Sequence, residues 1–129
     1  MPLVANPRRK NGSARTKLRR RVAAAGGRCW ICRKPIDYLL KDWLDPGYFV
    51  LDELRPVKDG GDPLDPSNVA PAHRACNAWR GTKSVETVRL CQRLGLVLKP
   101  QDEVRRALAA HRRAQAREEA SGLKNTREW

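Results

Sequence analysis

Four side chains in this sequence have the type and spacing to share one ion. Cys29 and Cys32 stand two residues apart, and His73 and Cys76 repeat that spacing well downstream. A tight Cys-x-x-Cys turn brings two thiolates onto one ion, and a second pair completes a tetrahedral set. His73 and Cys76, at i and i+3, can share one helix face. The expected ion is a structural zinc. With all four positions taken by protein, none is left for a reactive water, so such an ion holds the fold and does no chemistry. The competing readings are a disulfide, disfavoured without a secretory signal, or buried free thiols. Cys91 sits in an apolar helical pattern and reads as core. It becomes a ligand only if His73 has another task.

A second group of chemistry-bearing residues lies between and just beyond the two pairs: Asp52, Glu53, Asn68 and Asn77. Taken singly each has an ordinary reading. Asp52 and Glu53 can end a strand at a solvated turn, Asn68 can be a turn residue or helix cap, and Asn77 can sit on a helix surface. Asp52 and Asn77 are also hard oxygen donors, which suit Mg²⁺ or Mn²⁺.

In combination these residues carry a family resemblance. Val50-Leu-Asp-Glu-Leu-Arg-Pro-Val-Lys-Asp-Gly-Gly61, followed by Pro66-Ser-Asn-Val-Ala-Pro-Ala-His-Arg-Ala-Cys-Asn-Ala-Trp-Arg-Gly81, resembles the HNH endonuclease family. The family's pattern is a Cys-x-x-Cys, a strand ending in Asp-His-x-x-Pro, a Gly-Gly loop, an Asn, and a helix carrying Cys-x-x-Cys-His/Asn and Lys/Arg-Gly. It covers about residues 14–84, roughly two-thirds of the chain. The resemblance implies a ββα-metal core, in which a two-stranded ribbon and a helix grip one divalent ion against a scissile DNA phosphate. By position, Asp52 and Asn77 match the ligands of the catalytic Mg²⁺ or Mn²⁺. Asn68 matches the residue that ties the loop and helps orient the catalytic group. Cys29, Cys32, His73 and Cys76 match the accessory zinc ligands. One position departs from the pattern: Glu53 stands where the family has its general-base histidine. A carboxylate binds a proton less tightly than an imidazole does, so Glu53 is a weaker base or a further metal ligand. Its presence leaves a slow nuclease and a binding-only module open beside a fully active enzyme. Small phage members of the family also partner the DNA-packaging terminase, so the resemblance permits a phage or mobile-element origin and a terminase subunit as partner.

The elements that must position these residues follow from pattern. From Ser13, a possible N-cap, Leu18, Val22 and Ala25 form one apolar stripe on a basic helix stopped by Gly26-Gly27. Tyr48–Leu51 is β-prone and runs into Asp52-Glu53. Residues 56–68, with Gly60, Gly61, Pro63 and Pro66, read as a loop. Pro71 to about Thr82 reads as one short helix with the proline in its first turn. Val85, Val88, Cys91 and Leu94 mark another helix closed by Gly95, and residues 101–120 a polar helix. Trp30 and Trp79 read as packing on the small core. With the core that the resemblance implies, the expected fold class is α+β: a small ββα-metal core with a structural zinc site, flanked by a basic N-terminal helix and C-terminal helices. The expected divisions are a tail over 1–12, the core over 13–84 and a helical extension over 85–129.

Charge points to the partner. The 129 residues carry a net charge of +13. Nine of the basic residues fall within the first 28 positions, where there is no acid, while the remainder of the chain is nearly balanced. A block of like charge favours a polyanion, and the resemblance implies that this polyanion is DNA. Arg15, Lys17, Arg19, Arg20 and Arg21, with Arg80 and Lys83 at the end of the motif, are the expected phosphate contacts. No apolar run is long enough for a membrane span, and the N-terminus has no signal-type apolar region. With the phage or mobile-element origin that the resemblance permits, the expected location is the cytoplasm of a bacterial host.

Overall fold

The computed structural model describes residues 12–127, with side chains described through residue 122. The tail expected over 1–12 therefore lies almost wholly outside the described residues. Six elements follow in order: α1 (Gly12–Ala25), β1 (Phe49–Glu53), β2 (Val69–His73), α2 (Arg74–Arg80), α3 (Val85–Leu94) and α4 (Gln101–Arg127). The class is mixed α+β, with the two strands forming one antiparallel ribbon. Phe49 faces His73 across the ribbon and Glu53 faces Val69. Strand β1 passes directly from core side chains, Phe49 and Leu51, to Asp52 and Glu53 at its end.

The stretch expected as a helix from Pro71 behaves differently. Pro71 lies in β2 opposite Leu51, and the helix starts only at Arg74. Pairing with β1 overrides the helix-start signal of the proline, which has no N–H to lose from a ladder edge. The Pro71 carbonyl accepts a hydrogen bond from the Trp30 N–H at 3.0 Å. That contact pins the Cys29–Cys32 turn to the ribbon.

The ribbon's connection is closed by two 3₁₀ turns, Val57–Asp59 and Pro66–Asn68, around Gly60-Gly61. Gly60 takes a left-handed φ of 86°. At Gly61 a Cβ would stand 1.7 Å from the Arg55 carbonyl oxygen, a backbone atom that cannot step aside. Gly61→Ala is expected to destabilise the protein by about 1–3 kcal/mol, the usual range for forced overpacking. Urea denaturation checks it: an unchanged midpoint would show that the loop has room to shift.

One core joins everything. Leu18 from α1, Ile31 from the knuckle, Phe49, Leu51 and Ala72 from the ribbon, and Trp79 from α2 share it with Val88, Cys91, Leu96, Val104 and Leu108. The C-terminal helices are thus built into the same core through residue 108. Helix α3 starts at Ser84, whose hydroxyl accepts from the Thr87 N–H at 3.1 Å, and ends at a left-handed Gly95. The chain reverses there, so Leu96 is buried and the expected Leu94 is exposed. Likewise Ala25, the last position of the expected α1 stripe, is exposed. Among the described residues no helix is long and apolar enough to cross a membrane.

Candidate functional site

Cys29, Cys32, His73 and Cys76 converge, and their ligand atoms all lie within 4.8 Å of one another. Local structure explains the convergence. The Cys29–Cys32 turn closes through the Arg33 N–H on the Cys29 carbonyl at 2.8 Å, with Arg33 in the left-handed region at φ 64°. His73 ends β2 and caps α2, and Cys76 sits in the first turn of α2. The i, i+3 pair is therefore split across a strand–helix junction and does not lie on one helix face.

The donors fit a metal ion. The His73 Nε2 lies 2.9 Å from the Pro35 carbonyl and donates to it. That contact leaves the Nδ1 lone pair facing the thiols, 3.2 Å from Cys32 Sγ and 3.7 Å from Cys76 Sγ. Such an outer partner fixes tautomer and ring orientation in metal sites. The His73 backbone N–H donates to Cys29 Sγ at 3.5 Å. A hydrogen bond from Cys76 holds the Cys29 thiol down to about 4, while the same contact and burial push Cys76 up. One sulfur gives up its proton readily and its neighbour resists, a conflict that a divalent cation relieves. A Cys₃His set of this kind is consistent with structural zinc. Cys91 stands apart, fully buried, with burial raising its thiol. It is a core residue.

The second group meets at an open cleft of about 830 Å³, lined by Asp52, Glu53, Asn77, Arg80 and Arg15 among others. Asp52 is buried at 8% exposure. Its Oδ2 accepts from Arg80 Nη1 at 2.7 Å and from Trp30 Nε1 at 2.9 Å. Burial pushes its carboxyl above the usual value, opposed by Arg80 and Trp30. Glu53 is held by Arg15 Nη1 at 3.1 Å. Asn68 lies outside the cleft wall and ties the loop. Its Oδ1 accepts from the Arg55 N–H, and its Nδ2 donates to the Arg55 and Asp62 carbonyls.

The expected phosphate contacts divide in two. Lys17, Arg20 and Arg21 are exposed on the outer face of α1. Arg15 and Arg19 are on its inner side, where Arg19 donates to the Phe49 carbonyl at 2.7 Å and lies over the Tyr48 and Phe49 rings. Arg80 is not a surface residue. At 4% exposure it donates to Asp52 and to the carbonyls of Glu53, Leu54 and Lys83. Lys83 caps the end of α2 through the Trp79 carbonyl and reaches Gln101 at 2.6 Å. These two side chains are spent on the protein itself.

Two partners were invisible to spacing arguments. Trp30 packs beside the knuckle as expected, yet its indole N–H also fixes Asp52. Arg80 closes the cleft from below as the counter-charge of Asp52. Neither pairing has a sequence signal, because each spans more than 20 positions and depends on how α2 lies on the ribbon. Comparison with protein-family models, with curated proteins and with solved structures returns no match for this chain.

Proposed function

We propose that this chain is a divalent-metal-dependent endonuclease of the HNH type, hydrolysing DNA phosphodiester bonds, with zinc in its Cys₃His cluster. The observation that carries the reading is the meeting of Asp52, Glu53 and Asn77 on one cleft, at the junction of a two-stranded ribbon and a short helix. Asp52 and Asn77 are the residues that would hold Mg²⁺ or Mn²⁺, with hard oxygen donors suited to either ion. When bound, that ion supplies charge stabilisation at the phosphoryl group. The chain's own residues do the rest. Glu53 is the base that accepts a proton from the attacking water, and Arg15 orients its carboxylate. Arg80 and Trp30 fix the Asp52 carboxylate through Oδ2 and leave Oδ1 for the cleft. Asn68 holds the loop next to Glu53. The family context favours a phage or mobile element, working in the host cytoplasm.

Plasmid incubated with protein and Mg²⁺ or Mn²⁺ tests the reading. Asn77→Ala and the near-isosteric Asp52→Asn are expected to abolish cleavage. Glu53→Gln is expected to slow it by about 10²–10⁴, the usual contribution of a general base. Cleavage that survives Asp52→Asn and Asn77→Ala together would sink the proposal. A second reading, a zinc-stapled DNA-binding or terminase-associated module, rests on the Arg80 ion pair, which already neutralises Asp52. It expects salt-dependent binding and no cutting with any ion, and no gain from Glu53→His.

A further inference from the structure

Helix α4 is 27 residues long, about 40 Å at 1.5 Å per residue. Only its first turns are seated in the core, through Val104, Ala107 and Leu108. From Arg112 to Gly122 every described side chain is exposed. A solvated helix of this kind commonly interleaves acids and bases at i, i+4, because such pairs stabilise it and like charges do not. Here residues 105–117 hold Arg105, Arg106, Arg112, Arg113 and Arg117 and no acid at all.

The arginines are also sorted by face. At 100° per residue all five fall in a sector of about 140°, opposite Val104 and Ala107, with Leu108 about 40° beyond its Arg112 edge. Of the acids of the projecting stretch, Glu118 points away from that sector, while Glu119 lies about 20° outside its edge, beside Arg112. Two acids stand at its foot: Asp102, inside the sector and paired with Arg106 at 3.4 Å, and Glu103, about 40° outside its other edge. All five arginines are exposed. Whatever the helix does, its apolar side faces the core and this basic stripe faces out.

We propose that the outer face of α4 is a docking surface for the phosphate backbone of duplex DNA, separate from the cleft and from α1. Charge complementarity selects the occupant. The stripe runs about 18 Å, over which one strand of B-DNA presents about five phosphates at 3.4 Å each along the axis. Five guanidiniums meet that number, and the guanidinium fork matches phosphate geometry. The projecting part carries alanines and no large described apolar side chain, so it offers little for a second copy of the chain to bury. The helix therefore extends the footprint on DNA beyond the bond being cut.

Fluorescence anisotropy of the full chain on a labelled 20-base-pair duplex tests this, across a salt series and with no Mg²⁺ or Mn²⁺ added. Binding is then read without cleavage, so this proposal and the nuclease reading fail separately. Arg112→Gln/Arg113→Gln/Arg117→Gln is expected to weaken binding at least tenfold at 0.1 M salt. It should lower the slope of log K against log[salt] by about 2.7, at 0.9 per lost contact. The matching triple lysine variant is expected to retain most of the affinity, and helix content and zinc content to stay unchanged in both. Affinity and slope within twofold of the parent in the glutamine variant would overturn the proposal. So would an equal loss in the lysine variant, or a change of oligomeric state with no change in DNA binding.

Discussion

Cys29→Ala is expected to unfold the protein and not merely to loosen one corner of it. Cys29 is 1% exposed and joins the knuckle to the ribbon junction that carries His73 and Cys76. A structural zinc site of this donor type supplies about 10–16 kcal/mol of apparent binding free energy at neutral pH. Domains are stable by only about 5–15 kcal/mol in total. Losing the ion therefore removes as much as the whole margin. The variant should lack a cooperative thermal transition, and a strong chelator should produce the same loss in the parent protein. Cys91→Ala, which removes one buried sulfur from the core and leaves the ligand set whole, should cost only about 1–2 kcal/mol by lost packing. Metal analysis and thermal melts followed by circular dichroism check all three. A well-folded parent protein containing no zinc would refute the expectation.

Arg80→Met carries the second large effect. The Asp52–Arg80 pair is buried on both sides, with side chains 9% and 4% exposed, and separated by 2.7 Å. Breaking such a pair from one side costs about 3–5 kcal/mol, because the remaining charge is left without a partner. Arg80 also satisfies the carbonyls of Glu53, Leu54 and Lys83. The double variant Asp52→Asn/Arg80→Met should regain part of the loss and not all of it, since the charge is gone and those carbonyls remain unpaired. Urea denaturation of the parent, both singles and the double closes the cycle. A cost below about 1 kcal/mol for Arg80→Met would show that water reaches Asp52 and replaces the guanidinium.

The Arg80 contact also sets the orientation of Asp52. A buried carboxylate held by one guanidinium and one indole has a single orientation. Asp52 is thus held in place by the protein itself, and Asn77 and Glu53 line the same cleft. Arg15 does for Glu53 what Arg80 does for Asp52, from a more exposed position. Basic residues that composition alone assigns to a polyanion are thus divided between two jobs. Some hold acids in place, and others, on α1 and α4, stay exposed to solvent.

The Cys₃His quartet, the strand ending in Asp52-Glu53, the double-glycine turn and α3 with its closing Gly95 were legible in the sequence. Each is a short-range signal: a two-residue spacing, a β-prone run, a φ that favours glycine, a helical apolar repeat stopped by a glycine. Tertiary structure alone decided the rest. Pro71 became a strand residue because β1 was there to pair with it. His73 and Cys76 met the knuckle across a strand–helix junction because β2 ends where α2 begins. Arg80 turned inward because a buried carboxylate 28 positions away needed a partner, and Arg15 and Arg19 followed because α1 packs that side onto the ribbon. A charge in a sequence has a sign and no address. Which charges are spent inside and which stay free is set by the faces that packing covers.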